Sequence, residues 1–211
     1  MLINEIYPSI QGESTYVGVP MVFVRLTGCN LRCRWCDTAY AFEEGREIAL
    51  DDLLRIVENF GLAHVEITGG EPLMQKETPE LIRRLLALNK TVLIETGGSI
   101  NVDLIPEGAV RIIDIKCPGS GEAQRNDWRN LDRLRPTDQM KFVIADRADY
   151  DWAKSVLERT RLHEKAVVLF SAVHGELAPV TLVEWILQDR LPVRYQPQLH
   201  KTLWPAETRG V

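Results

Sequence analysis

Apolar positions along the chain gather into short, dense runs rich in β-branched residues: VFVRLTG (22–28), HVEITG (64–69), TVLIET (91–96), VRIIDIK (110–116), MKFVIA (140–145) and AVVLFSAV (166–173). Runs this short and this nearly continuous predict strands covered on both faces, as in a parallel sheet. Between several of them the spacing becomes helical. Leu53, Ile56, Val57 and Phe60 stand at i, i+3, i+4 and i+7, and Ile82 with Leu85 and Leu86, and Leu182 with Trp185 and Ile186, repeat that stripe. Thr78 followed by Pro79 reads as an N-cap with proline at the first helical position. Strands alternating with helices predict an α/β fold, and about six such units curl toward an incomplete (β/α)6-like parallel barrel rather than a closed eight-fold one. No repeat, low-complexity tract or linker interrupts the pattern, so residues 1–211 are expected to form a single domain, with GSGEAQRNDWRN (119–130) its most irregular stretch.

Composition narrows the partners. A chain of 211 residues can bury most of its apolar surface without covalent staples. With 45% hydrophobic residues, 26% charged residues and a formal net charge of −5, it lacks the excess of Lys and Arg that nucleic acid or an anionic membrane would favour, although a local basic pocket remains open. The opening MLINEIYPSIQGES has neither the basic start nor the apolar core of a secretion signal, and no apolar run approaches a membrane span, so a cytoplasmic location is expected. In that reducing compartment closely spaced thiols point to metal binding or redox chemistry rather than to a disulfide framework.

The polar motifs sit where strands end, the place at which reactive groups gather in parallel α/β sheets. GCNLRCRWCDT (28–38) follows the first core strand, TGGEP the second, ETGGS the third, KCPGS the fourth and SAVHG the sixth. Cys29, Cys33 and Cys36 in the first of these form C-x3-C-x2-C, and the chain's only other cysteine is Cys117. Structural zinc normally takes four protein ligands, with Cys117 or a histidine available as the fourth. A cubane iron–sulfur cluster usually takes four cysteines as well, and with three it keeps one iron open. Spacing alone leaves both readings standing.

C-x3-C-x2-C with an aromatic residue before the third cysteine resembles the signature of the radical S-adenosylmethionine (SAM) enzymes, in which the open iron of a [4Fe-4S] cluster chelates the methionine moiety of SAM. TGGEP (68–72) is similar to that superfamily's glycine-rich motif, where Gly69 and Gly70 permit close backbone approach. NEIYPSIQGES (4–14), RLTGCNLRCRWCDT (25–38), ITGGEPL (67–73), ETGGS (95–99), DIKCPGSG (114–121) and QLHKTLWPAETRGV (198–211) together resemble the 7-carboxy-7-deazaguanine synthase family, over the whole chain. The resemblance implies a trimmed radical SAM core and a carbon–nitrogen lyase. Its reaction is the ring contraction of 6-carboxy-5,6,7,8-tetrahydropterin to 7-carboxy-7-deazaguanine with loss of ammonia, on the route to deazapurines such as queuosine. A 5′-deoxyadenosyl radical takes and returns the C6 hydrogen, SAM is regenerated, and Mg2+ is required. A flavodoxin or ferredoxin as reductant and a homodimeric assembly are implied too.

Carried over residue by residue, the resemblance implies cluster ligation by Cys29, Cys33 and Cys36 and a Mg2+ ligand in Thr38. It implies SAM contacts from Trp35, Cys36, Asp37, Gly70, Glu71, Lys116, Ser171 and His174, and substrate contacts from Ile10, Gln11, Gly12, Glu13, Arg25, Thr68, Glu95 and Val211, the last on a C-terminal tail folded back toward the site. Most have a plainer alternative. Arg25 on an apolar run can clamp a substrate carboxylate bidentately or pair with a neighbouring acid. The Gln11 turn can bind pterin or simply link an edge strand to the core. Thr38 can ligate magnesium, which often keeps substrate and water ligands, or cap a turn. Glu95 can accept from the guanidine-like edge of a pterin or cap the core. Trp35 can meet adenosine or shield the cluster. Cys117 is expected to act as a small buried hydrophobe rather than a ligand, and His200 as a structural histidine. Two rivals remain: a radical SAM activase of a glycyl radical enzyme, and a non-catalytic zinc module.

Overall fold

The computed structural model describes residues 1–211. Nine strands form one sheet: β1 (Leu2–Ile10), β2 (Pro20–Leu26), β3 (Arg46–Glu47), β4 (His64–Gly69), β5 (Thr91–Thr96), β6 (Val110–Ile115), β7 (Gln139–Ile144), β8 (Val167–Ala172) and β9 (Arg194–Tyr195). Their spatial order is β3-β1-β2-β4-β5-β6-β7-β8-β9, and β3 and β9 remain as edges, so the sheet does not close. Pairing is antiparallel at β1 with β2 and β3, and parallel from β2 through β9. All six predicted strands are present within a residue or two of their expected ends.

Helices α1 (Leu50–Asn59), α2 (Thr78–Ala87), α3 (Arg147–Thr160) and α4 (Pro179–Asp189) fill the crossovers β2–β4, β4–β5, β7–β8 and β8–β9, and a single helical turn, α5 (His200–Leu203), follows β9. The crossovers β5–β6 and β6–β7 carry only 3-10 turns, so the (β/α) alternation is broken on one flank. There Arg111 of β6 replaces helical cover. It is fully buried, forms a two-point ion pair with Asp138, and donates to the backbone oxygens of Val102 and Arg133, tying both helix-free crossovers to the sheet.

Two local readings change. Thr78 is the first residue of α2 and not its cap. Glu77 precedes the helix, and the Thr78 hydroxyl donates to the Pro72 oxygen (2.7 Å), which also accepts from Gln75 N–H (3.2 Å) in the 3-10 turn after TGGEP. Helix α3 was not predicted from the apolar stripe, because it buries Tyr150, Ala153, Val156 and Leu157 on an otherwise polar segment. Its start was marked by Asp146, whose carboxylate caps the Asp149 N–H (2.9 Å).

The two faces of the sheet are unlike. On the helix side, alternate strand residues such as Val24, Ile67, Ile94, Ile113, Phe142 and Phe170 join Leu53, Leu85, Val156 and Leu182 of the helices in a core of 36 buried residues. Each large aliphatic side chain buried there contributes about 1.5–3 kcal/mol. On the inner face only Tyr7, Met21, Phe23, Leu93 and Ile112 form an apolar floor. One pleat repeat (two residues) further along β2, β5 and β6, the same face carries Arg25, Glu95 and Asp114, because side chains two apart share a side. The inner face is therefore apolar at the amino ends of these strands and charged at their carboxyl ends.

Candidate active site

Those charged ends line a cavity of about 260 Å3 bordered by 36 residues. The loop after β2 supplies its thiols. Gly28 reverses the chain at φ +96°, a left-handed conformation that glycine adopts without strain. Two hydrogen bonds then sew this loop to the turn after β4: Glu71 N–H donates to Gly28 O (2.7 Å) and Gly70 N–H to Leu26 O (3.1 Å). A side chain at Gly70 would collide with the Gly28 carbonyl, so this close approach requires glycine. Cys36 N–H donates to Cys33 O (3.2 Å), winding the last two thiols into one turn, and Leu31 N–H donates to Cys29 Sγ (3.4 Å).

Cys29, Cys33 and Cys36 all border the cavity, whereas Cys117 is buried in the apolar core. Burial pushes the Cys29 and Cys33 thiols up, with the Lys116 ammonium pulling against it. No three His, Cys, Asp or Glu side chains converge on a single-ion site. Three thiols bordering one cavity instead suit a cluster, which offers each thiolate a different iron.

Around the thiols, the Glu71 carboxylate is fully buried and accepts from Leu73 N–H (3.0 Å), the Thr96 hydroxyl (2.8 Å) and Gly97 N–H (2.7 Å), locking the turns after β4 and β5 together. Burial raises its pKa, and these donors offset only part of that rise. Trp35 lies under the Arg34 guanidinium at 4.9 Å, and Asp37 pairs with Lys201 of α5 (2.8 Å). Thr38 Oγ1 makes only long contacts, 3.4 Å to Gly69 O and 3.9 Å to Cys36 Sγ. Lys116 pairs with Asp114 (2.8 Å), and Asp114 Oδ1 is buried without a protein partner.

The other half of the cavity is an ion network. Arg25 gives Nε to Glu5 (2.7 Å) and one Nη to the Tyr7 hydroxyl (3.0 Å), so the internal ion pair envisaged for it is present, with further guanidinium N–H groups beyond those two. Gln11 accepts from Glu13 N–H (3.0 Å) and donates to the buried Glu66 carboxylate. Lys141 of β7 pairs with Glu13 (2.8 Å) and Glu95, with Asp114 at 3.8 Å. Burial raises the Glu13 carboxyl, but Lys141 and Gln198 more than offset it and hold it at about 2. Burial and the neighbouring Glu95 push Glu66 well above the usual carboxylate range. His200 packs against Gly12 so closely that a side chain at Gly12 would collide with its ring, and burial depresses its pKa. Leu199 N–H donates to Gly12 O (2.9 Å), fastening the residues after β9 across the opening, where Gly210 and Val211 also border the cavity.

A scan of protein families matches residues 23–116 to the Radical SAM superfamily. A 7-carboxy-7-deazaguanine synthase of Koribacter versatilis is 45% identical over the full length of both chains. One from Chlorobaculum tepidum is also 45% identical, over 99% of this chain and 96% of its own. The chain belongs to the 7-carboxy-7-deazaguanine synthase family. It is thus a radical SAM enzyme, a class that works with a [4Fe-4S] cluster and SAM. Among solved structures, QueE from Escherichia coli shares the fold, with a TM-score of 0.79 at 23% identity over 94% of each chain.

The family's radical SAM chemistry fits the donors present: three thiols on one loop at the cavity wall and a glycine cradle at Gly70. Of the residues expected from sequence, Ile10, Gln11, Gly12, Glu13, Arg25, Thr68, Glu95 and Val211 border the cavity, as do Cys29, Cys33, Trp35, Cys36, Asp37, Thr38, Gly70, Glu71 and Lys116. Ser171 and His174 do not. Ser171 stands beside the cavity residue Val143 in register, and His174 is exposed on the following turn. Glu66, Asp114, Lys141, Tyr7, Tyr40 and Gln198 border or brace the cavity and were not anticipated. For Glu66, Asp114 and Lys141 the signal was available: each is a charge inside an otherwise apolar strand, and burying one requires a partner.

Proposed function

We propose that this protein is a 7-carboxy-7-deazaguanine synthase, contracting 6-carboxy-5,6,7,8-tetrahydropterin to 7-carboxy-7-deazaguanine with release of ammonia. The observation that carries this reading is a single cavity with a three-thiol loop on one wall and a ring of buried carboxylates and cations on the other. Cys29, Cys33 and Cys36 would hold the cluster, which when bound would supply the electron for reductive cleavage of SAM.

The chain's own groups bind and orient. Gly70 and its neighbours offer backbone to the SAM methionine end, while Trp35, Asp37, Glu71 and Lys116 serve SAM's remaining polar groups; Ser171 and His174, which lie off the cavity wall, are outside that set. Arg25, already fixed by Glu5 and Tyr7, directs its remaining N–H groups at the substrate carboxylate. Tyr40 also donates to Glu5 (2.8 Å), and burial pushes its pKa up to about 12, so it remains a neutral donor there. Glu95 accepts from the guanidine-like edge of the pterin, and Ile10, Gln11, Gly12, Glu13 and Thr68 frame its ring. Thr38, whose hydroxyl has no close partner, is the residue that would hold Mg2+, an ion that often takes few protein ligands. The residues through Val211 cover the opening and exclude water.

The chain is read as one domain, because its first and last strands belong to one sheet. A flavodoxin or ferredoxin is the proposed reductant. A homodimer is supported by exposed Val180 and Leu187 on α4, and a cytoplasmic location by the need to keep the loop thiols reduced. No helix is long and apolar enough to cross a membrane.

The test is anaerobic reconstitution followed by turnover of the carboxy-pterin with reductant and SAM. The expected result is 7-carboxy-7-deazaguanine and ammonia in equal amounts, with SAM not consumed. A protein that carries the cluster and cleaves SAM yet leaves this pterin untouched would refute the assignment and favour an activase.

A further inference from the structure

Lys141 was invisible to motif reading, yet it occupies the centre of the substrate half of the cavity. Its side chain is 8% exposed, and its ammonium lies 2.8 Å from Glu13 Oε2, pairs directly with Glu95 Oε1 and stands 3.8 Å from Asp114 Oδ2. These acids come from three separate places: the β1–β2 connection, β5 and β6. Lys141 is thereby the one side chain that physically joins Glu13 to Glu95.

We infer that Lys141 is a positioning residue for the pterin, holding Glu13 and Glu95 in one fixed arrangement so that the carboxylate of Glu95 is presented to the substrate's paired N–H donors. This rests on the proposed synthase reading and deepens it by naming what orients the recognition carboxylate. The geometry divides the labour. Glu13 has one oxygen on Lys141 and the other on the Gln198 amide (2.8 Å), which saturates its near positions. Glu95 has one oxygen on Lys141, no other side-chain partner, and a side chain 26% exposed toward the cavity. A carboxylate with one oxygen anchored and the other open is preorganised for a two-donor ligand edge.

Without the ammonium, several acids would crowd one buried space. Lys141 is faced by Glu13, by Glu66 of β4, by Glu95, by Asp114 of β6 and by Lys116 just after that strand, with Arg25 and His200 next outward. Lys116 is already committed to Asp114 and Arg25 to Glu5, so neither replaces it. Like charges close together in a buried site raise carboxyl pKa values. Loss of Lys141 removes the cation that holds the Glu13 carboxyl low, so Glu13 takes up its proton at higher pH than in wild type, and raising the pH restores its charge.

The experiment compares wild type, Lys141→Met and Lys141→Arg as anaerobically reconstituted holoenzymes. The readouts are pterin affinity by equilibrium dialysis, kcat and KM across pH, iron content, and SAM cleavage without pterin. For Lys141→Met we expect the pterin Kd and KM to rise about 10- to 100-fold at neutral pH. The acid limb of kcat/KM should move up by about one pH unit or more, with iron content and pterin-free SAM cleavage unchanged. Lys141→Arg should keep the acid limb at its wild-type position. Lys141→Gln, which retains hydrogen bonding but not charge, carries the same expectation if the methionine variant does not fold. An unchanged KM and pH profile in the neutral variants would overturn the inference, as would a loss shared equally by iron content and SAM cleavage. A wild type that does not turn over the pterin refutes the synthase reading instead, so the two failures are distinct.

Discussion

The helix-facing side of the sheet and its inner side both bury strand residues, but by opposite means. Ile67 and Ile94 are fully buried among other hydrocarbons on the helix side, while Glu66 is 1% exposed on the inner side of the same strand as Ile67, matched only by the Gln11 amide and distant charges. The first arrangement stabilises the fold by removing apolar surface from water. The second costs desolvation at each charged group and is tolerated where charges are paired. A buried polar ring on a well-packed sheet is thus the part of this protein whose reason lies in its ligands.

The contrast predicts which substitutions act on chemistry and which on stability. The largest effect is expected from Cys29→Ser, Cys33→Ser or Cys36→Ser: loss of the visible absorption of the cluster, loss of iron, and no product. Cys117→Ser should keep iron content at the wild-type level, because Cys117 lies in the apolar core away from the cavity. Next, Gly70→Ala forces apart the two loops that the Glu71–Gly28 hydrogen bond joins, and about a 100-fold fall in kcat/KM is expected in steady-state assays. Glu95→Gln keeps the shape of the pocket and removes its open charge; KM for the pterin should rise about 10- to 100-fold while SAM cleavage without pterin is unaffected. On the helix side the pattern reverses. Ile82→Ala should cost about 2–5 kcal/mol in denaturant unfolding, and Asp138→Ala, which strands the fully buried Arg111, about 3–5 kcal/mol, both with KM unchanged in the protein that remains folded.

The pH dependence follows from Glu13. Its folded pKa is depressed to about 2, below the ordinary carboxylate value, so its contribution to stability is complete above the unfolded pKa and disappears as pH falls through about 2. In Lys141→Met that contribution should be missing, and the unfolding free energy should lose less between neutral and acid pH than wild type does.

The outer face was the legible one. Its strands could be placed because β-branched residues cluster there, and α1, α2 and α4 because Leu53, Ile82 and Leu182 repeat with helical spacing. Helix α3 escaped because Ala153 and Tyr150 do much of its packing and neither marks a clear apolar stripe. On the inner face, motif resemblance found the thiol loop, Gln11, Arg25 and Glu95, since each lies in a short polar signature at a strand end. Lys141 and Glu66 were hidden inside strands, where a lone charge among apolar neighbours does not reveal which distant acid or amide will meet it. The Lys141–Glu13 pair joins residues 128 positions apart, and only the fold brings them together.

The most direct test of the account is the structure of the anaerobically reconstituted protein with SAM and 6-carboxy-5,6,7,8-tetrahydropterin bound together. The account predicts a cluster held by Cys29, Cys33 and Cys36 alone, SAM against Gly70, and the pterin with its N–H edge on Glu95 and its carboxylate toward Arg25. A fourth protein ligand on the cluster, or a pterin seated away from the inner face of β4–β7, would contradict it.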